Sequence, residues 1–151
     1  MRAMILAAGL GKRMRPLTEN TPKPLLKVNG KPLVEHLIER LIAGGVTGVV
    51  INYHHLGEMI KSFLGDGSKL GIEIGYSEEV DLLETGGGII NSLPKLKDES
   101  FIVVNADVWT DFDFSRLDYI DGDQCLAHLV LVKNTKENPT GDFYISQSGL
   151  I

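Results

Sequence analysis

Hydrophobic residues form several short runs along the chain that contain no charged residue. The first three occupy residues 3–8, 46–51 and 101–104, and their lack of alternation is typical of strands covered on both faces. A further run at 126–132 predicts another buried strand, and the apolar residues from Phe143 onwards predict a last one.

Other segments show the periods of half-exposed strands and amphipathic helices. Apolar and polar residues alternate over 72–76, which predicts a strand near a sheet edge. Apolar residues recur with helical spacing over 33–42 and 56–64, so each segment predicts a helix that buries one face. A third, shorter helix is expected over 89–93, between a run of glycines and Pro94.

The order strand, helix, strand, helix, strand, helix, strand is typical of an α/β fold. It predicts an open, mostly parallel, doubly wound (Rossmann-like) sheet with helices on both faces. No repeat or linker interrupts the chain, so residues 1–151 are predicted to form a single domain. In such sheets ligands bind outside the carboxyl ends of the strands. Gly9, Asn52 and Asp107 directly follow apolar strands, so we expect them to lie together.

Composition limits the partners that the chain is expected to bind. Its 151 residues are 43 % hydrophobic and 23 % charged, and the formal net charge is −5. This charge argues against a nucleic acid or an anionic membrane as the main partner, because both require a basic surface. The single cysteine excludes an internal disulfide, the apolar opening is too short for a signal peptide, and no run could span a bilayer. A cytoplasmic location is therefore expected.

Residues 12–27 carry a local excess of positive charge. Five Lys and Arg residues face one acidic residue, Glu19, and the glycines Gly9 and Gly11 precede them. Glycines let a backbone approach phosphates closely, and Lys and Arg neutralise phosphate charge, so we predict a loop that wraps a triphosphate. The spacing fits neither a dinucleotide-binding fingerprint nor a P-loop. The alternative is a loop whose cations are simply solvated.

The stretch 6–18 reads LAAGLGKRMRPLT and is followed by PKPL at 22–25. Together with ETGGG at 84–88 and NAD at 105–107, it resembles the signature of the sugar-1-phosphate nucleotidyltransferases. This resemblance implies an enzyme that joins a nucleoside triphosphate to a sugar 1-phosphate and releases pyrophosphate, with Mg²⁺ as cofactor. Within that family the chain is most similar to the N-acetylmuramate α-1-phosphate uridylyltransferases of peptidoglycan recycling, which implies UTP and that sugar phosphate as substrates.

The resemblance also implies roles for particular residues. Arg13 corresponds to an arginine that grips the triphosphate, Lys23 to a lysine that bridges the reacting phosphates, and Asp107 to the carboxylate that holds Mg²⁺. These three are the implied catalytic residues. The implied nucleotide-binding residues are Ala8, Gly9, Gly11, Lys12, Arg13, Lys23, Thr85, Gly86 and Gly87. The implied sugar-phosphate-binding residues are Asn105, Gly141 and Asp142.

Charge governs the chemistry expected of such a site. A sugar phosphate is already largely ionised near neutral pH, so no general base is expected, and the cations are expected to reduce repulsion between the reacting anions. The same family implies two other substrate pairs, GTP with mannose 1-phosphate and dTTP or UTP with glucose 1-phosphate.

Family members continue into a later segment that supplies a second metal-binding aspartate, and no residue of this chain matches it. A nucleotide-binding module without turnover is therefore a further alternative. Self-association is also expected, through the sheet edge that such a segment would cover.

Overall fold

Four parallel strands form the central sheet of the computed structural model. The structure describes residues 1–97, 100–117, 126–136 and 138–151. The chain divides into two units, Met1–Tyr119 and Ile120–Ile151, and each is described by itself. The strands are β1 (Arg2–Leu6), β2 (Lys27–Val28), β3 (Lys31–Pro32), β4 (Gly48–Tyr53), β5 (Glu73–Glu78) and β6 (Phe101–Asn105). The α-helices are α1 (Leu33–Ala43), α2 (Gly57–Leu64) and α3 (Glu84–Leu96).

The strands of the central sheet lie in the order β5-β4-β1-β6, and β2 and β3 form a separate short hairpin. Leu6, the last residue of β1, lies opposite Asn52 of β4 on one side and Asn105 of β6 on the other. The strand order therefore reverses at β1, which is the position where doubly wound sheets bind their ligands. The predicted parallel, doubly wound sheet is confirmed.

Alternate residues of the strands enter two separate cores. On one face, Ala3 and Ile5 of β1 pack with the buried side chains of α1 and α2. On the other face, Met4 of β1 and Val50 of β4 pack with Leu96 of α3. All five side chains are fully buried, and burial of each large aliphatic side chain stabilises the fold by about 1.5–3 kcal/mol. The described helices therefore cover both faces of the sheet, and none of them is long and apolar enough to cross a bilayer.

The predicted strands of the first unit differ from the observed ones in detail, and two of the differences have a structural reason. The apolar run covers 3–8, but the strand ends at Leu6. The next backbone N–H, that of Ala7, donates to the side chain of Asn52 and not to the backbone of a neighbouring strand. The run 101–104 was expected to be covered on both faces, but Val103 is 40 % exposed. β6 lies at the edge of the sheet, so fewer side chains cover it.

α3 is longer than the sequence pattern predicts. The predicted helix covers 89–93, whereas the observed helix is Glu84–Leu96 and includes three glycines and Pro94. Gly and Pro both disfavour helix interiors. Packing outweighs this preference, because the extended helix brings Leu96 into the core beneath the sheet.

The predicted strands at 126–132 and from Phe143 are wrong. The described residues of the second unit, 126–136 and 138–151, contain no strand, and apolar side chains such as that of Val132 are exposed. A strand needs a neighbouring strand to satisfy its backbone N–H and C=O groups. An apolar run in the sequence cannot by itself supply that partner.

Candidate active site

The loop that follows β1 turns tightly at Gly11. Ala7 and Ala8 are buried at its base. Gly11 has φ +62°, and a Cβ atom at this position would lie 3.0 Å from Cβ of Thr18. Thr18 is itself buried, and its Oγ1 donates to the carbonyl oxygen of Gly11 at 2.7 Å. A glycine at position 11 therefore lets the loop close around a buried threonine.

Three cations follow Gly11 on the exposed side of this loop. Lys12 and Arg13 lie in the 3₁₀ turn Lys12–Met14, and Arg15 follows it. All three residues are exposed, and the ion pairs among the described residues involve other cations. Cations without carboxylate partners beside a turning backbone form a surface that attracts anions.

Lys23 reaches the same region from a second turn. It begins the 3₁₀ turn Lys23–Leu25, in which the N–H of Leu25 donates to the carbonyl oxygen of Pro22 at 2.8 Å. The Nζ atom of Lys23 donates to Oδ2 of Asp107, and the two side chains are 29 % and 34 % exposed. Asp107 follows shortly after β6. The fold thus places a cation and a carboxylate in contact at the carboxyl edge of the sheet.

An open cavity of about 460 Å³ lies at the carboxyl ends of β1, β4 and β6. The implied site residues that line it are Ala8, Gly9, Gly11, Lys12, Arg13, Lys23, Thr85, Asn105 and Asp107. The expected gathering of Gly9, Asn52 and Asp107 is confirmed, because all three line this cavity. Its volume is in the range of small-molecule sites, and both the cationic loop, residues 9–15, and the start of α3 contribute to its lining.

Four implied site residues are not among those that line the cavity. Gly86 and Gly87 lie in the first turn of α3, directly after Thr85. Gly141 and Asp142 belong to the second unit, where Gly141 has φ +69° in a turn. The roles of these four residues in binding stay predictions.

Glu79 is a cavity residue that the sequence pattern did not single out. It follows β5, is only 3 % exposed, and lines the cavity. Its Oε1 atom accepts a 2.7 Å hydrogen bond from Nδ2 of Asn52. The rule that selected Asn52 and Asp107, a polar residue shortly after a strand of a parallel sheet, applies equally to Glu79 and could have found it.

Asp107 is the residue whose chemistry fits a Mg²⁺ ion. In phosphate-transfer sites Mg²⁺ is commonly held by one or two carboxylates together with substrate phosphates and water. Asp107 offers a partly exposed carboxylate at the cavity, close to the cationic loop. The described part of the chain contains no cluster of three or more His, Cys, Asp or Glu residues that could hold a metal without such help. Asp107 therefore suits an ion that arrives with phosphates.

Comparison with known proteins places this loop, sheet and cavity in a family. The family model described as nucleotidyl transferase matches residues 2–142. The chain belongs to the nucleotidyl transferase family. The resemblance to the sugar-1-phosphate nucleotidyltransferases, which rested on the loop after β1 and on three short segments, is confirmed.

Several relatives in the nucleotidyl transferase family transfer nucleotides to sugar phosphates. The chain is 52 % identical over 147 residues to N-acetylmuramate alpha-1-phosphate uridylyltransferase of Neisseria meningitidis serogroup B, in an alignment that covers 95 % of this chain and 64 % of that enzyme. It is 36 % identical over 160 residues to the enzyme of the same name from Caulobacter vibrioides, covering 99 % and 66 %. The chain thus spans about two thirds of the length of these two relatives.

A solved structure shares the fold of this chain. HddC from Yersinia pseudotuberculosis complexed with GMP-PN aligns with a TM-score of 0.68 and 28 % identity, covering 76 % of this chain and 51 % of that one. This similarity confirms the Rossmann-like α/β class that the alternation of strands and helices predicts.

Proposed function

We propose that the chain is the nucleotide-activating part of a uridylyltransferase that joins UTP and N-acetylmuramate α-1-phosphate to give the UDP-sugar and pyrophosphate. The observation that carries this proposal is the contact between Lys23 and Asp107 at the cavity, beside the cationic loop. The 52 % identity to a uridylyltransferase with this sugar supports the choice of substrates. The proposal treats residues 1–151 as one nucleotidyltransferase domain of a cytoplasmic enzyme in cell-wall recycling.

The proposed reaction exchanges one phosphoanhydride bond for another. An oxygen of the sugar phosphate attacks the α-phosphorus of UTP, and the bond from that phosphorus to the bridging oxygen breaks, so pyrophosphate leaves. No proton must be removed, because the attacking phosphate is already ionised. Arg13 and Lys23 lower the repulsion between the two anions and hold them in line. Asp107, together with the phosphates, would hold Mg²⁺, and the ion would supply further neutralisation of charge.

The walls of the cavity divide between the two substrates in this proposal. The backbone of Ala8, Gly9 and Gly11 would hold the phosphates, and the segment from Thr85 to Gly87 would contact the nucleobase. Asn105 is the last residue of β6, two positions before Asp107, and both residues line the cavity. This position supports a contact between Asn105 and the sugar phosphate. Gly141 and Asp142, which belong to the second unit, are proposed to bind the sugar phosphate.

A pyrophosphate-release assay tests the proposed reaction. UTP, GTP and dTTP are each combined with N-acetylmuramate α-1-phosphate, mannose 1-phosphate and glucose 1-phosphate in the presence of Mg²⁺. We expect release to be fastest with UTP and N-acetylmuramate α-1-phosphate, and to stop when Mg²⁺ is removed with a chelator. Faster release with GTP and mannose 1-phosphate, or with glucose 1-phosphate, would replace the proposed substrates by that pair.

A nucleotide-binding module without turnover is the second candidate. It applies if Asp107 and the substrate phosphates hold Mg²⁺ too weakly for turnover. Trp109 is the single tryptophan of the chain and lies two residues after Asp107, so its fluorescence provides a probe of ligand binding near that residue. Binding of UTP with Mg²⁺, without pyrophosphate release with any of the three sugar phosphates, would select this candidate.

The exposed sheet edge suggests that a second copy of the chain is a partner. β6 lies at one edge of the central sheet, and Val103 on it is 40 % exposed. Unpaired strand edges with apolar side chains readily pair with another chain. Sedimentation velocity over a range of protein concentrations tests this: dimers should form in wild type and be lost in Val103→Lys. A monomer at all concentrations would exclude it.

A further inference from the structure

Asn52 and Glu79 form a buried hydrogen-bonded pair at the floor of the cavity. Each residue is 3 % exposed, yet both line the cavity. We propose that this pair is a positioning element. It holds the loop from Ala8 to Arg13, here called the phosphate loop, and the start of α3 at the separation that a nucleoside triphosphate requires. The inference rests on the proposed function, because it assigns the pair to the nucleotide side of that site.

Asn52 connects the pair to the phosphate loop. Its Oδ1 atom accepts a 2.9 Å hydrogen bond from the N–H of Ala7. Ala7 is the first residue after β1, and the loop from Ala8 to Arg13 follows it along the cavity. The side chain of a neighbouring strand therefore determines where the backbone of this loop leaves the sheet.

Glu79 connects the pair to the opposite wall. Its Oε2 atom accepts a 3.0 Å hydrogen bond from the N–H of Leu83, the residue before α3. The helix also passes close to the pair: a Cβ atom on Gly88 would lie 2.7 Å from Oε1 of Glu79 and 2.8 Å from Nδ2 of Asn52. Both the start and the second turn of α3 are therefore placed by contacts with these two side chains.

Each of the four polar side-chain atoms of the pair acts as a donor or as an acceptor in one of three hydrogen bonds. The backbone N–H groups of Ala7 and Leu83 donate from the two ends, and Asn52 donates to Glu79 between them. The described residues contain no cation paired with Glu79. A buried carboxylate without a cation is costly, and apolar side chains often stabilise a fold equally well in its place. A positioning role explains why a hydrogen-bonded polar pair, and not an apolar one, lies at the floor of the cavity.

Reversing the direction of the central hydrogen bond tests this role. In Asn52→Asp a carboxylate faces the carboxylate of Glu79, so the two repel each other. In Glu79→Gln the glutamine has only one acceptor oxygen for two donors. Its NH₂ group therefore faces either the N–H of Leu83 or the NH₂ group of Asn52, and two donors oppose each other. In the double variant the glutamine amide can donate to the carboxylate introduced at position 52, while the glutamine oxygen accepts from Leu83. All four atoms are then paired again.

Binding of UTP, GTP and dTTP with Mg²⁺ is measured by titration calorimetry, and the triphosphate that wild type binds best is used for the variants. We expect each single variant to weaken its binding at least 10-fold, and the double variant to return to within about 3-fold of wild type, as in a strongly coupled mutant cycle. Asn91→Asp is the matched control. Asn91 also links α3 to β5, through a 3.0 Å hydrogen bond to Oγ of Ser77, but it does not line the cavity, so binding should not change.

Thermal unfolding of each variant separates positioning from simple stabilisation. Loss of thermal stability with unchanged triphosphate binding would overturn the inference, and so would a double variant that regains stability but not binding. Triphosphate binding without pyrophosphate release would reject the proposed reaction while the mutant cycle still decides the role of the pair. If wild type bound none of the three triphosphates, both proposals would fall.

Discussion

Lys23 and Asp107 are joined by a charge-assisted hydrogen bond although 84 positions separate them in the sequence. One follows the loop after β1 and the other follows β6, so only the parallel pairing of these strands brings them together. Partly exposed ion pairs of this kind contribute about 0.2–1 kcal/mol to stability. The pair therefore matters more for the two oppositely charged groups that it places at the cavity than for the fold.

Substitution of either partner should abolish most turnover and leave the fold intact. We expect Lys23→Ala and Asp107→Ala each to lower the rate of pyrophosphate release by about 10²–10³, by analogy with the loss of one pre-aimed catalytic donor. The free energy of unfolding in urea should change by no more than about 1 kcal/mol. Lys31→Ala is the control, because Lys31 pairs with Glu39 at 2.6 Å outside the cavity. Near-normal turnover in either test variant would contradict the assigned roles.

Arg13 should contribute to triphosphate affinity and not to stability. It is exposed and has no carboxylate partner among the described residues. Hydrogen bonds to charged groups are worth about 1.5–3 kcal/mol, so Arg13→Ala should raise the dissociation constant of UTP about 10- to 100-fold in calorimetry. Arg13→Lys should recover part of the loss, because lysine keeps the charge without the fork-shaped donors. The control is Lys69→Ala on an exposed turn elsewhere; equal effects of the two alanine variants would refute a specific role.

Gly11 and Gly30 offer a matched comparison of loop geometry. Both have positive φ, +62° and +81°, but only a Cβ atom on Gly11 would meet a neighbour, at 3.0 Å from Thr18. Alanine in a left-handed conformation costs about 1–2 kcal/mol, so both alanine variants should unfold at lower urea concentration. Only Gly11→Ala should also weaken UTP binding, because the loop must move away from Thr18. Unchanged UTP binding in Gly11→Ala would show that the loop tolerates this shift.

Asp113 should make the stability of the first unit depend on pH in acid. Its Oδ1 accepts from Oγ and N–H of Ser115 at 2.7 and 3.0 Å, and these hydrogen bonds hold the pKa of Asp113 below its ordinary value. A depressed folded pKa means that the stabilisation is present at neutral pH and is lost as pH falls below the unfolded pKa and through the folded one.

Asp113→Asn keeps an acceptor for this turn and removes its titration. The difference in unfolding free energy between wild type and the variant should therefore shrink as the pH falls from about 5 to about 2. Urea unfolding at a series of pH values measures it. A difference that stays constant over this range would mean that the hydrogen bonds of Asp113 do not titrate with folding.

Local patterns predicted most of the sheet because they report local physics. The apolar run at 3–8 and the helical spacing over 33–42 correspond to β1 and α1 within a few residues, since burial on a sheet or against it requires those periods. The same reasoning failed at 126–132, where the run is apolar but no described strand is present. It also predicted too short a helix for α3. The packing of Leu96 under the sheet outweighs the low helix propensity of the glycines and Pro94.

The sequence by itself determined the phosphate loop, the cations that follow Gly11 and the strands that carry them, because glycine spacing, charge and hydrophobic period are local properties. Only the tertiary structure decided which side chains meet. It paired Lys23 with Asp107 and placed the carboxylate of Glu79 beneath the loop through Asn52. Those contacts depend on strand order and register, and hydrogen bonds between distant residues leave no periodic trace in the chain.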